Sequence, residues 1–114
     1  MEKQPLVSIV MAAKDTAPYI EECLDSILNQ TYENWELIAV NDHSSDATPE
    51  ILRAYAEKDV RIRFLNSDRP KLIPTLQVGY AEVKGELINR MDSDDRMPDY
   101  KIQVLVDEWM SYGK

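Results

Sequence analysis

Glycine is scarce in this 114-residue chain, with only Gly79, Gly85 and Gly113. No glycine-rich phosphate fingerprint can be assembled from them, which excludes a dinucleotide-binding Rossmann domain of the usual kind. The single cysteine, Cys23, excludes an internal disulfide and a cysteine-rich zinc site. It falls on an apolar helical face and reads as a small buried hydrophobe. Basic residues number 13 against 21 acidic ones, giving a net charge of −8 and a pI near 4.6. A nucleic-acid binder should carry a basic patch or stripe, so nucleic acid is not an expected partner. No apolar run is long enough to span a bilayer. The opening Met1-Glu2-Lys3-Gln4-Pro5 lacks the apolar stretch of a signal peptide. The expectation is a cytoplasmic chain, or the cytoplasmic, membrane-peripheral part of something larger.

What is present is a regular alternation. The 44% hydrophobic content suits one globular domain spanning residues 1–114. Leu6 to Ala13 reads as a buried strand. Ile20, Cys23, Leu24, Ile27 and Leu28 then follow the spacing of one helix face, with Pro18 in the first turn and Thr16 or Asp15 as cap. Trp35 to Val40 is a second strand, and Thr48-Pro49 opens a helix with Ile51, Leu52, Tyr55 and Ala56 on its apolar side. Ile62 to Leu65 makes a third strand, followed by a polar loop from Asn66 to Pro74. A weaker helix runs through Leu76 and Tyr80 toward Val83 and ends at Lys84-Gly85. Glu86 to Met91 is a fourth strand, and a last helix begins near Pro98 with Ile102, Leu105, Val106, Trp109 and Met110 at helical spacing. Trp35, Trp109, Tyr55 and Met110 are expected in the core. Strand and helix alternating four times predicts an α/β fold: a Rossmann-like parallel sheet of about four strands flanked by helices.

In such sheets ligands bind beyond the carboxyl ends of the strands. Two acidic clusters follow strands here, one around Asp42 and one at Asp92-Ser93-Asp94-Asp95, so both should lie on one rim. Three carboxylates in four residues repel one another, and a hard divalent cation with oxygen ligands would compensate them. The plain alternative is an acidic turn capping the next helix. Arg90 and Arg96 flank the tetrad, and a salt bridge from Arg90 to one of its carboxylates is expected. A strongly negative protein would also repel a phosphorylated ligand unless metal or local Arg and Lys intervene.

In order along the chain, these segments resemble the amino-terminal half of family 2 glycosyltransferases, which adopt the GT-A fold. Val7-Ser8-Ile9-Val10-Met11 is similar to the family's opening strand. Tyr19 to Tyr32 is close to the family's following segment word for word. Trp35-Glu36-Leu37-Ile38-Ala39-Val40-Asn41-Asp42-His43-Ser44-Ser45-Asp46 resembles its strand ending in Asp-Asp-Gly-Ser-x-Asp, and Ile88 to Asp95 followed by Met97-Pro98 resembles its DxD segment. The resemblance implies sugar transfer from a nucleoside-diphosphate donor, with a uridine diphosphate sugar favoured, to a hydroxyl of a carbohydrate, lipid-linked or protein acceptor, with inversion. It implies donor binding by Ala13, Asp15, Asp42, Arg69, Lys71, Asp92, Ser93 and Asp94. It also implies Mg²⁺ or Mn²⁺ held by Asp94 and Asp95. The general base and the acceptor platform are expected beyond Lys114, so the isolated chain is expected to turn over poorly.

The chain departs from the family pattern at several positions. Asn41 replaces an Asp, His43 stands where the family has Gly, and Ala12-Ala13-Lys14-Asp15 replaces Pro-x-Tyr-Asn. Lys71 replaces the Gly that opens the third helix. His43 is expected to be solvated, and Lys14 or Asp15 to approach the donor or simply to line a loop. The competing reading is a non-catalytic module that binds nucleotide or metal. A phosphoacceptor receiver domain fits poorly, because the first strand leads to a single Asp15 rather than an acidic pair.

Overall fold

The computed structural model describes residues 4–112. Four strands and four helices alternate: β1 Val7–Ala13, α1 Ala17–Leu28, β2 Trp35–Asn41, α2 Thr48–Lys58, β3 Ile62–Asn66, α3 Leu72–Tyr80, β4 Leu87–Arg90 and α4 Lys101–Tyr112. The sheet is wholly parallel in the order β3-β2-β1-β4. The chain therefore builds outward from β1 to β3 and then crosses back to the other side of β1. The expected α/β architecture is the one observed.

Alternation along the central strands sorts the core onto two faces. Ile9, Met11, Leu37 and Ala39 join Ile20, Leu24 and Ile27 of α1, Leu52 of α2, and Ile102 and Val106 of α4 in one buried cluster. The opposite face, carrying Val10, Ile38 and Val40, receives α3. There Gly79 lies so close that an added Cβ would sit 2.7 Å from Val10 Cγ1. The first two crossovers thus cover one face and the third covers the other, leaving the strands' carboxyl ends as a common open rim.

Three boundaries differ from expectation. The loop after β3 is shorter than predicted because α3 already begins at Leu72. Pro74 then falls in the first turn, where its missing N–H leaves no helix bond unmade. That helix stops at Tyr80 rather than near Val83, as Glu82 and Val83 donate to Gly79 and Tyr80 in tightened turns. Helix α4 starts at Lys101 rather than Pro98. The carbonyls of Pro98 and Asp99 are drawn toward Gln30 Nε2, at 2.6 Å, and Thr31 N, at 2.8 Å. Strand β4 is not buried. It is a short edge strand with Ile88 50% exposed, because nothing covers its outer side among the described residues. Trp35 is fully buried as expected, whereas Tyr55, Trp109 and Met110 are half-buried.

Gly85 does not terminate a helix. Its N–H donates to Ser8 Oγ at 2.8 Å, and that hydroxyl in turn donates to Glu36 Oε2 at 2.6 Å. A Cβ there would lie 2.5 Å from Leu6 O and 2.6 Å from Ser8 Oγ. Gly85→Ala is expected to lower unfolding free energy by about 1–3 kcal/mol in denaturant titrations, the usual cost of overpacking.

Candidate donor site at the carboxyl rim

Parallel register brings the rim together. Ala13 of β1 pairs with Asn41 of β2, and Asn41 pairs with Asn66 of β3. Immediately beyond, Asp42 N donates to Ala13 O at 2.8 Å, and Asn41 Nδ2 donates to Asn66 Oδ1 at 3.0 Å. On the other side, β4 ends opposite Val10, three residues short of β1's end. The chain then rises past Met91 into the acidic tetrad. The reversal point between β1 and β4 is where an open α/β sheet leaves its crevice.

Asp42 is the organising residue of one side. It is only 5% exposed. Its Oδ1 accepts from Lys71 N and from His43 Nδ1, each at 3.2 Å, while Oδ2 makes no hydrogen bond among the described residues. A cleft of about 390 Å³ opens against it, lined by Ala12, Ala13, Lys14, Asp42, Lys71 and Leu72. Lys14 and Lys71 are exposed and form no ion pair among the described residues, so two free cations face a cleft in an acidic protein. Arg69 points elsewhere, 3.8 Å from Asp68 and 3.4 Å from Gln77 Oε1. His43, expected to be a solvated loop residue, instead engages Asp42, although its side chain stays half-exposed.

Among the described residues, three non-glycine residues have left-handed backbone: Asp15 (φ 52°), His43 (φ 54°) and Lys71 (φ 83°). All three sit on this rim. Asp15 Oδ1 accepts from Ser45 N at 2.6 Å and Ser45 Oγ at 3.2 Å, and Asp15 N donates to Ser44 Oγ at 3.0 Å. The loop after β1 is thereby clamped to the turn that carries Asp42.

The tetrad forms a tight turn closed by Asp95 N donating to Asp92 O at 3.2 Å. It does not cap α4, which starts six residues after Asp95. Ser93 faces inward, 4% exposed, and accepts from Thr16 Oγ1 at 2.9 Å, tying the tetrad to the loop after β1. Arg90 pairs with Asp92 at 3.4 Å, as expected. Asp94 and Asp95 are exposed and line a second cleft of about 250 Å³ with Tyr19, Glu22 and Arg96. Asp95 accepts from Arg96 N at 3.0 Å, whereas Asp94 makes no hydrogen bond or ion pair among the described residues.

Among the described residues no three His, Cys, Asp or Glu side chains converge as a ready metal cage. Magnesium, however, is commonly held by one or two carboxylates together with substrate phosphates and water. An uncommitted Asp94 beside Asp95 fits that donor set. Cys23 lies beneath the turn and donates its thiol to Asp92 O at 3.6 Å. Burial first, then the charges of Asp95 and Asp94, pushes that thiol up to about 12, so it stays protonated and inert.

Sequence reasoning gave Asp46 no role, yet it anchors both flanking helices. Its Oδ2 accepts from Ala17 N at 3.1 Å, and Oδ1 accepts from Thr48 N at 2.9 Å and Thr48 Oγ1 at 2.6 Å. Thr16 occupies the N-cap of α1 but makes no side-chain cap bond there, because Asp46 supplies the acceptor from across the rim. An Asp two residues before Thr48-Pro49 was the available signal. Hydrogen bonding from Thr48 holds the Asp46 carboxyl below its ordinary value of 3.8. The contribution is therefore present above pH 3.8 and lost as pH falls through the lower folded value. Asp46→Asn should melt at a lower temperature at pH 7 and lose less stability than the wild type on acidification. Parallel stability–pH curves below pH 4, followed by circular dichroism, would contradict this.

Comparison with known proteins bears on the family and the fold. A sequence profile described as Glycosyl transferase family 2 matches residues 8–114. The chain is 38% identical over 104 residues to the uncharacterized glycosyltransferase EpsJ of Bacillus subtilis (strain 168), covering 91% of this chain and 30% of EpsJ. It superposes on residues 1–349 of S. aureus TarS in complex with UDP-GlcNAc with a TM-score of 0.83 at 22% identity, covering 92% of this chain and 31% of that one. The mannosyltransferase PcManGT of Pyrobaculum calidifontis, in complex with GDP-Man and Mn²⁺, gives a TM-score of 0.82 at 26% identity, covering 95% and 33%. The chain thus spans about 30% of the length of the curated relatives it matches. Among the described residues, no helix is long and apolar enough to cross a membrane.

Proposed function

The chain belongs to glycosyl transferase family 2 and has the GT-A fold, and from that premise we propose that its carboxyl rim binds the nucleoside-diphosphate sugar of an inverting, metal-assisted glycosyl transfer. The observation that carries this reading is Asp42: a nearly buried carboxylate lining a cleft, with one oxygen tied down, the other free of hydrogen bonds, and two lysines beside it that form no ion pair among the described residues. Oδ2 is not sealed from solvent, and a ligand donor that replaces water there gains a charge-assisted hydrogen bond in a nearly desolvated position. The imide N–H of uracil is such a donor.

Each residue then has a defined task. Asp42 Oδ2 holds the base, and Ala13 lines the cleft where the nucleoside lies. Asp15 braces the Asp42 turn, and Ser93 with Thr16 holds the tetrad turn against β1. Lys14 and Lys71 offset diphosphate charge, which an acidic surface would otherwise repel. Arg69 requires a side-chain swing to assist them. Asp94 and Asp95 would hold Mg²⁺ or Mn²⁺, with Asp92 balanced by Arg90. Bound there, the metal neutralises charge on the departing diphosphate. We assign the general base and the acceptor platform to the length of the relatives that this chain does not span. The acceptor is accordingly a carbohydrate, lipid-linked or protein hydroxyl.

Calorimetric titration of the 114-residue chain with UDP tests the reading. Binding in the presence of Mn²⁺ that fails with a chelator is expected, together with little or no sugar transfer. General-base assistance typically supplies roughly 10²–10⁴-fold, so robust turnover by this chain would contradict the assignment.

A further inference from the structure

We propose that His43 is a positioning residue that sets base selectivity by occupying Asp42, an inference that rests on the donor reading above. Two donors from left-handed residues converge on one oxygen: His43 Nδ1 and Lys71 N each reach Asp42 Oδ1 at 3.2 Å. A carboxylate oxygen has two lone-pair directions, so Oδ1 is saturated and only Oδ2 is free for a ligand. Left-handed backbone in a residue other than glycine costs of order 1–3 kcal/mol and persists where the surroundings enforce it. Here Asp15 supplies the clamp, bonding Ser44 and Ser45, the two residues after His43. The strained turn therefore holds an imidazole in place against the one buried carboxylate of the cleft.

The consequence is chemical. Guanine offers adjacent N1–H and N2–H donors that match both oxygens of a carboxylate at once. Uracil offers a single imide N–H between two carbonyls, which needs one oxygen only. With Oδ1 spent on His43 and Lys71, Asp42 is a one-acceptor site and suits uracil. Without the imidazole, Oδ1 regains a free lone pair and the distinction weakens.

The test is calorimetric titration with UDP and with GDP, both with Mn²⁺, on the wild-type chain and on His43→Gly. Glycine takes the left-handed turn without strain, so its melting temperature should equal or exceed the wild type's. The wild type is expected to bind UDP more tightly than GDP by about tenfold or more, and His43→Gly to gain about tenfold in GDP affinity with UDP affinity little changed, contracting the UDP:GDP ratio. His43→Ala, also without a side-chain donor, carries the same comparison should the glycine variant fail to fold. An unchanged ratio, including one where both affinities fall together as a purely structural role would give, overturns the assignment. So does a wild type that binds GDP as well as UDP, and both results leave the donor site standing. A wild type that binds neither nucleotide overturns the donor site and this assignment with it.

Discussion

Asp42→Ala is expected to weaken UDP binding by about 10- to 100-fold while the chain remains folded. The range follows from losing a hydrogen bond to a charged acceptor in a nearly desolvated position, worth about 1.5–3 kcal/mol. Asp42 sits after the last residue of β2, and its backbone N–H is already tied to Ala13 O. The strand end therefore does not depend on the side chain. Asp42→Asn gives a sharper version of the same experiment. Its amide oxygen can still accept from Lys71 N and His43 Nδ1, but the NH₂ group then faces the cleft. Two donors would meet head to head with a uracil imide, so the asparagine variant should bind UDP as poorly as the alanine variant while melting closer to the wild type. Calorimetry with thermal melts separates the two effects. UDP affinity retained in Asp42→Asn would remove Asp42 from base recognition.

The second large effect is expected at the tetrad. In the double variant Asp94→Asn/Asp95→Asn, Mn²⁺ should no longer strengthen UDP binding, a loss on the order of a hundredfold relative to the metal-loaded wild type. Both side chains are exposed, and Asp94 has no partner to lose among the described residues. Removing two like charges from a tight turn relieves repulsion, so stability should hold or rise slightly. Asp92 is the control within the same turn. It is paired with Arg90, and Asp92→Asn should cost far less in metal response than the double variant. Titrations of UDP with and without Mn²⁺ on all three chains decide the matter. An equal metal response in the double variant would dissociate the tetrad from the ion.

Much of this arrangement is legible in the sequence for a simple geometric reason. Parallel strands must release their carboxyl ends at one edge, so an acidic turn after Val40 and another after Met91 are forced onto a shared rim. The strongly periodic α1 and the continuous apolar runs of β1 and β2 are equally plain, because burial on both faces leaves no competing pattern. The errors fall where local signals conflict. Pro74 reads as the end of a loop but occupies a helix's first turn, and Pro98 reads as the start of the last helix although α4 begins at Lys101.

Within the site, the side chains that brace the acids were hidden. Left-handed backbone at Asp15, His43 and Lys71 leaves no trace where glycine is absent, and only the resemblance, with Gly expected at two of these positions, hints at it. Asp46 bonding two helices at once and Gln30 joining α1 to the approach of α4 depend on long-range packing that no window of sequence contains.

The most direct measurement is a crystal of this chain soaked with UDP and Mn²⁺, recorded at the manganese absorption edge. The anomalous peak is predicted within about 2.5 Å of a carboxylate oxygen of Asp94 or Asp95, with uracil N3 in hydrogen-bond contact with Asp42 Oδ2. A nucleotide seated away from the ends of β1 and β2, or manganese bound elsewhere at saturating ligand, would contradict the account.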